Sequence, residues 1–238
     1  MEVLHFQGVS KRFGQHDVLS GLHFKVEQGE FFAFVGANGQ GKTTLIKGLL
    51  DFIKMDAGEI FIHGKNHRHT EARSGVAYLP ERFNPPYFLK GGEFLRYVTQ
   101  LHRQPYVLEQ VSETLNALDL DVGALERPVR TYSKGMTQKL GLAGVFLSGR
   151  DLLVLDEPMS GLDPKARVLL KRRLLTLRDQ GKTLFFSTHL LADVEELCDH
   201  MAILHQGRLR FEGSPTACRQ YYPGTTLEES FIQCIERC

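Results

Sequence analysis

Phe31-Phe32-Ala33-Phe34-Val35-Gly36-Ala37-Asn38-Gly39-Gln40-Gly41-Lys42-Thr43-Thr44 is the stretch on which the reading of the chain turns. Its first five residues are apolar without alternation, as in a strand buried on both faces of a parallel sheet. The next eight match G-x-x-x-x-G-K-[ST], and residues 44–50 continue with helical spacing. Glycines at those places let the backbone curl until successive N–H groups and a helix N-terminus face one anion. Lys42 adds positive charge at the β- and γ-phosphates of a nucleotide, and Thr43 offers a hydroxyl to Mg²⁺. A glycine-rich turn that binds nothing is the alternative, and it requires neither the strand before nor the helix after.

Leu152-Leu153-Val154-Leu155 and Leu184-Phe185-Phe186-Ser187 repeat the short apolar run, each with a helix-like segment behind it. That repetition predicts an α/β core whose ligands bind beyond the carboxyl ends of its strands. By contrast, Leu22-His23-Phe24-Lys25-Val26 and Glu59-Ile60-Phe61-Ile62-His63 alternate. They predict half-buried strands of an antiparallel sheet, with turns at Gln28-Gly29 and His63-Gly64. From Tyr78 to Arg150 helical spacing replaces the strand signal, with helices expected near 92–102, 107–118 and 133–147. This segment reads as a helical subdomain, 81–150, inserted into one domain whose remainder, 1–80 and 151–238, is the α/β core with its β subdomain. A final amphipathic helix is expected where Leu227, Phe231 and Ile235 fall on one face.

Composition narrows the function classes. Hydrophobic residues at 42% and charged residues at 24% of 238 are those of a globular protein and exclude disorder or a fibrous repeat. Lys+Arg 29 against Asp+Glu 28 leaves +1, without the bulk positive field of non-specific nucleic-acid binding, so no nucleic-acid partner is expected. The four cysteines form no C-x-x-C pair, which argues against a zinc ribbon or redox motif and for reduced thiols in the cytoplasm. No run approaches ~18 apolar residues and the N-terminus lacks a basic segment before an apolar one. A chain that neither crosses a membrane nor carries a secretion signal is expected, any span coming from another chain.

Leu152-Leu153-Val154-Leu155-Asp156-Glu157-Pro158 ends an apolar strand in two acids. Burying unpaired charge is expensive, so adjacent carboxylates at such a tip face a cation or a polar ligand. Asp156 is then the acid on the Mg²⁺ side, acting mainly through water, and Glu157 the candidate general base for an attacking water. A helix N-cap pair is the alternative, and it loses ground beside a phosphate loop.

With three further motifs in order, the chain resembles the nucleotide-binding domains of ABC transporters from about Val3 to Ile235. Tyr132-Ser133-Lys134-Gly135-Met136 stands where that family has its L-S-G-G-Q signature, Ser160-Gly161-Leu162-Asp163 resembles the D-loop, and Ser187-Thr188-His189 ends a strand as the switch histidine does. Phe13 stands where the family stacks an aromatic on adenine. The resemblance implies a RecA-like P-loop NTPase core that binds ATP and Mg²⁺. It further implies hydrolysis between two such domains facing head to tail, as a homodimer or heterodimer, each nucleotide lying between one Walker A loop and the other signature. Nucleotide contacts then fall to Phe13, Gly36, Asn38, Gly39, Gly41, Lys42, Thr43 and Thr44, with Ser133, Gly135 and Asp163 reaching the partner's nucleotide. Lys42, Glu157 and His189 carry the catalysis, and Thr43, Glu81 and Asp156 the metal. An integral membrane permease is the implied partner, which places the chain at the cytoplasmic face of the inner membrane.

Two departures stand out. Lys134 and Met136 replace the usual Gly and Gln of the signature, and Lys134 either adds charge near the shared phosphate or is solvated. Glu81, in Tyr78-Leu79-Pro80-Glu81, stands where the Q-loop usually has Gln; it can ligate a cation but cannot donate as an amide can. Sequences with this acid resemble the exporter branch. Ser133 can start and cap the last helix of the insert while holding a phosphate, and Asp163 can bridge subunits, cap the helix begun by Pro164, or both. His63, His67 and His69 read as a solvated loop, and Cys234 and Cys238 as thiols on a fraying end. Phe83-Asn84-Pro85-Pro86-Tyr87-Phe88 is either a surface for the permease or core packing. The competing functions are a soluble ABC ATPase acting on nucleic acid or the ribosome, and a non-transporting regulator of a membrane partner.

Overall fold

The computed structural model describes residues 1–237. In chain order its elements are β1 (Glu2–Phe13), β2 (His16–Glu27), β3 (Phe31–Val35), α1 (Lys42–Leu49), β4 (Ala57–Ile62), β5 (Lys65–Asn66), α2 (Thr70–Arg73) and β6 (Val76–Leu79). There follow α3 (Gly91–Leu101), α4 (Leu108–Ala117), α5 (Lys134–Leu147), β7 (Leu152–Asp156), α6 (Pro164–Asp179), β8 (Thr183–Thr188), α7 (Leu191–Leu197), β9 (His200–His205), β10 (Arg208–Gly213), α8 (Pro215–Tyr221) and α9 (Leu227–Glu236). The mixed α/β architecture expected from the sequence is present.

Among the described residues the strands form two sheets, ordered β10-β9-β3-β8-β7-β6 and β2-β1-β4-β5. In the larger sheet every pairing is parallel except β10 with β9, and β3 lies between β8 and β9. Phe31, Ala33 and Val35 enter one apolar core and Phe32 and Phe34 the other, which is why β3 carries no polar alternation. The smaller sheet is antiparallel and packs on the second of these cores through a run of aromatic rings. Phe6 stacks on Phe24 at 4.2 Å, and Phe24 in turn on Phe32 at 5.4 Å and Phe34 at 5.5 Å. β1 pairs with β2 through four register shifts along its length.

α3, α4 and α5 lie between β6 and β7 in the chain, and α3 and α4 each pack against α5. The strand before them runs to Leu79, slightly past the point where the sequence signal fades. No helix is long and apolar enough to cross a membrane among the described residues. Strand registers set the position of the site: Val35 pairs with Thr188 and Ile203, and Asp156 with Ser187. The residues that follow these strands therefore leave the sheet at one edge.

Candidate active site

Gly36 leaves β3 so close to β9 that a side chain would meet the Leu204 carbonyl at 2.8 Å. The loop turns through Gly39 and Gly41, both at positive φ; at Gly41, φ 106, a side chain would also meet Val18 and Leu19 of β2 at 2.9 Å. Gly41 precedes α1 without a side-chain cap, and no acid lies in the first turn, so the helix N–H groups remain available to an anion. They open into a cleft of about 450 Å³. Of the sequence-predicted residues, Phe13, Asn38, Gly39, Gly41, Lys42, Thr43, Thr44, Glu81 and Glu157 line it. Val18 lines it as well, a contribution that the sequence reading missed because nothing marks one valine of an edge strand. Phe13 is half exposed at the mouth, with the Lys11 ammonium 5.1 Å from its ring centre.

Lys42 is nearly buried and curls back into its own loop, donating to the carbonyls of Gly36 at 2.7 Å and Ala37 at 3.3 Å. Its ammonium also stands 3.2 Å from Glu157 Oε1, an ion pair without hydrogen-bond alignment, since that oxygen has no hydrogen-bond partner. Glu157 Oε2 is 2.9 Å from His189 Nδ1. Three side chains predicted as catalytic thus form one linked chain across the edge of the sheet. Glu157 itself has φ 50, the left-handed region that costs a non-glycine residue about 1–3 kcal/mol and persists only where its surroundings hold it. The hold is visible: its N–H donates to Ser187 Oγ at 3.0 Å.

Asp156 is buried, and burial pushes its carboxyl above the ordinary aspartate range, partly offset by hydrogen bonds from Ser187 and Thr43. Ser187 Oγ donates to Asp156 Oδ1 at 2.5 Å. The other oxygen, Oδ2, is buried with no hydrogen-bond partner. An orphaned carboxylate oxygen close to a threonine hydroxyl suits a hard cation with oxygen ligands, as Mg²⁺ is. In sequence Ser187 shows only as the end of an apolar run and the start of Ser187-Thr188-His189; its position opposite Asp156 makes it the link between the two acids.

Ser133, Gly135 and Asp163 do not line this cleft. Ser133 caps α5, its Oγ accepting from Met136 N at 3.2 Å, and no acid lies in the first turn. The loop after Glu157 is fastened to the same turn. Gln138 Nε2 donates to the Pro158 carbonyl at 3.2 Å, and the Lys134 stem covers Gly161, where a side chain would meet it at 2.9 Å. Asp163 caps α6 through a bond from Ala166 N at 2.9 Å, with Pro164 at the first helical position.

A family model described as ABC transporter matches residues 19–160, from β2 past the acid pair at the end of β7. The chain belongs to the ABC transporter family. It is 36% identical to the Nod factor export ATP-binding protein I of Burkholderia lata over 90% of this chain and 71% of that protein. An uncharacterized ABC transporter ATP-binding protein of Synechocystis sp. is 42% identical over 82% of this chain. The chain spans 56% of that relative's length and 59% of a similar one from Nostoc sp.. Among solved structures, the ATP binding subunit of an ABC transporter matches with TM-score 0.87 and 30% identity, covering 98% of this chain and 99% of that one.

Within this ABC fold two expectations from sequence need correction. His67 is not in a solvated loop: it is 2% exposed, its Nδ1 lies 3.0 Å from the Ile60 carbonyl, and burial lowers its pKa. Cys234 is not on a frayed end, because α9 packs it into the core at 1% exposure, next to Cys218 and Tyr222. Burial pushes the Cys218 thiol up to about 12, which leaves it unreactive. Cys238 lies outside the described residues. The aromatic stretch divides: Phe83 packs on Phe94 with ring centres 5.5 Å apart, whereas Tyr87 and Phe88 are each 70% exposed.

Proposed function

We propose that this chain is the ATP-binding and ATP-hydrolysing subunit of a multi-chain ABC exporter, with residues 81–150 as its helical subdomain. The observation that carries the reading is the linked triad Lys42, Glu157 and His189, seated against an uncapped helix N-terminus behind a glycine loop. Lys42 turns from the Gly36 and Ala37 carbonyls to the β- and γ-phosphates. Phe13 stacks on the adenine at the mouth of the cleft. Release of Lys42 frees Glu157 to take a proton from the attacking water, while His189 keeps the carboxylate oriented and meets the γ-phosphate. Thr43, Asp156 and Glu81 would hold Mg²⁺, which when bound neutralises charge on the phosphate oxygens.

ATP closes two such subunits head to tail, each supplying Ser133, Gly135 and Asp163 to the other's nucleotide. The positive end of α5, without an acid in its first turn, supports that role. The exposed pair Tyr87 and Phe88 faces a membrane permease, at whose cytoplasmic side the subunit works. Relatives named for Nod factor export support the outward direction of transport. Titration with a fluorescent ATP analogue tests the core of the proposal. Wild type binds in the presence of Mg²⁺ and Lys42→Ala binds more weakly; equal affinities would remove the loop from nucleotide binding.

A further inference from the structure

Glu81 and Lys134, two of the residues that depart from the family pattern, line one cavity of about 510 Å³ between the loop after β6 and the first turn of α5. Glu81 also lines the nucleotide cleft, so its carboxylate stands on the wall between two cavities. Lys134 is positioned from below. Its methylenes cover Gly161, where a side chain would sit 2.9–3.2 Å from three of its carbons. Neither Glu81 nor Lys134 makes a hydrogen bond or ion pair among the described residues. Arg82 lines the same cavity. As the chain neighbour of Glu81, however, it travels with that residue and does not register the loop against α5.

We propose that Glu81 and Lys134 are a matched pair, in which the Glu81 carboxylate is shared between the nucleotide cleft and the Lys134 ammonium. Lys134 is then a positioning residue: across the cavity its ammonium attracts the Glu81 carboxylate toward the signature helix, in competition with the nucleotide cleft. The inference rests on the nucleotide-binding reading given above. It accounts for both departures at once, because an ammonium at a helix N-terminus is unfavourable without a counter-charge. Both side chains are exposed, so the attraction is modest and screened by salt.

A double-variant comparison tests the pair. Affinity for a fluorescent ATP analogue with Mg²⁺ is measured for wild type, Lys134→Met, Glu81→Gln and the double variant, at low salt and at ~0.5 M salt. Met keeps an unbranched stem over Gly161 and removes only the charge. Lys134→Met is expected to tighten binding about 2- to 5-fold at low salt, the range of one exposed ion pair. The effect fades at high salt, vanishes when residue 81 is Gln, and is absent in Lys134→Arg. The same change in both residue-81 backgrounds, or no change, overturns the pairing; the first of these would mean that Lys134 acts through its packing on Gly161. A wild-type chain that binds no nucleotide overturns the underlying reading and the pairing with it.

Discussion

The loops ahead of α1 and α5 both end in a helix N-terminus without an acid in its first turn, and they treat charge in opposite ways. Ahead of α1 the charges find one another within the chain, Lys42 with Glu157 at 3.2 Å and Glu157 with His189 at 2.9 Å. Ahead of α5, Ser133 caps its own helix while Lys134 lays its methylenes over Gly161. In the cleft the Glu157 carboxylate is held between Lys42 and His189. The first turn of α5 keeps its positive end open, with neither an acid of its own nor an ion pair from Lys134 among the described residues.

The sharpest way to break this contrast is Glu157→Gln, expected to lower hydrolysis by about 10²–10⁴ while ATP binding survives. Phosphate release and nucleotide titration measured together decide it, and undiminished turnover would take Glu157 out of the base role. In that trapped variant ATP is expected to convert monomer to dimer by light scattering, and Ser133→Arg to abolish the dimer while leaving single-subunit binding intact. Loss of binding as well would mean that the α5 surface belongs to the same nucleotide site after all. Next in size, Tyr87→Ala with Phe88→Ala should leave ATP binding unchanged yet reduce recovery of the complex with the membrane subunit; normal assembly would return the pair to mere exposure.

The smallest effect is on stability. A carboxyl whose folded pKa lies above its unfolded one binds its proton more tightly in the fold. Stability is therefore lost as pH rises from the unfolded value through the raised one, and Asp156 carries that cost at neutral pH. Asp156→Asn keeps an acceptor for Ser187 and should raise Tm by about 2–4 °C, the size of a ~1 kcal/mol change in a chain of this length. Thermal melts without Mg²⁺ check this, and an unchanged or lower Tm would mean that burial of Asp156 is already compensated.

Much of this was legible in the chain. Consecutive apolar residues in β3, β7 and β8 have one physical reading, burial on both faces, and the glycine-lysine loop needs a strand and a helix at fixed places. Contacts made across the fold were not. His67 gives no sequence sign of burial, because what buries it is the packing of neighbouring elements. Cys234 sits at a helical position next to exposed residues and near the end of the chain, yet α9 folds back on α8 and β10 to cover it. The link from Ser187 to Asp156 depends on the register of β7 against β8, which no local pattern encodes.

The place of β3 in the larger sheet has a consequence for biosynthesis. Both of its neighbours come far later in the chain, β8 at Thr183–Thr188 and β9 at His200–His205. While the ribosome is still making the helical insert, five apolar residues and the phosphate loop behind them have no strand on either side. Such an unpaired apolar segment is a template for wrong association, and folding that waits for distant partners is slow. Nucleotide affinity should therefore arise late and abruptly during synthesis, once residues past 205 have left the tunnel.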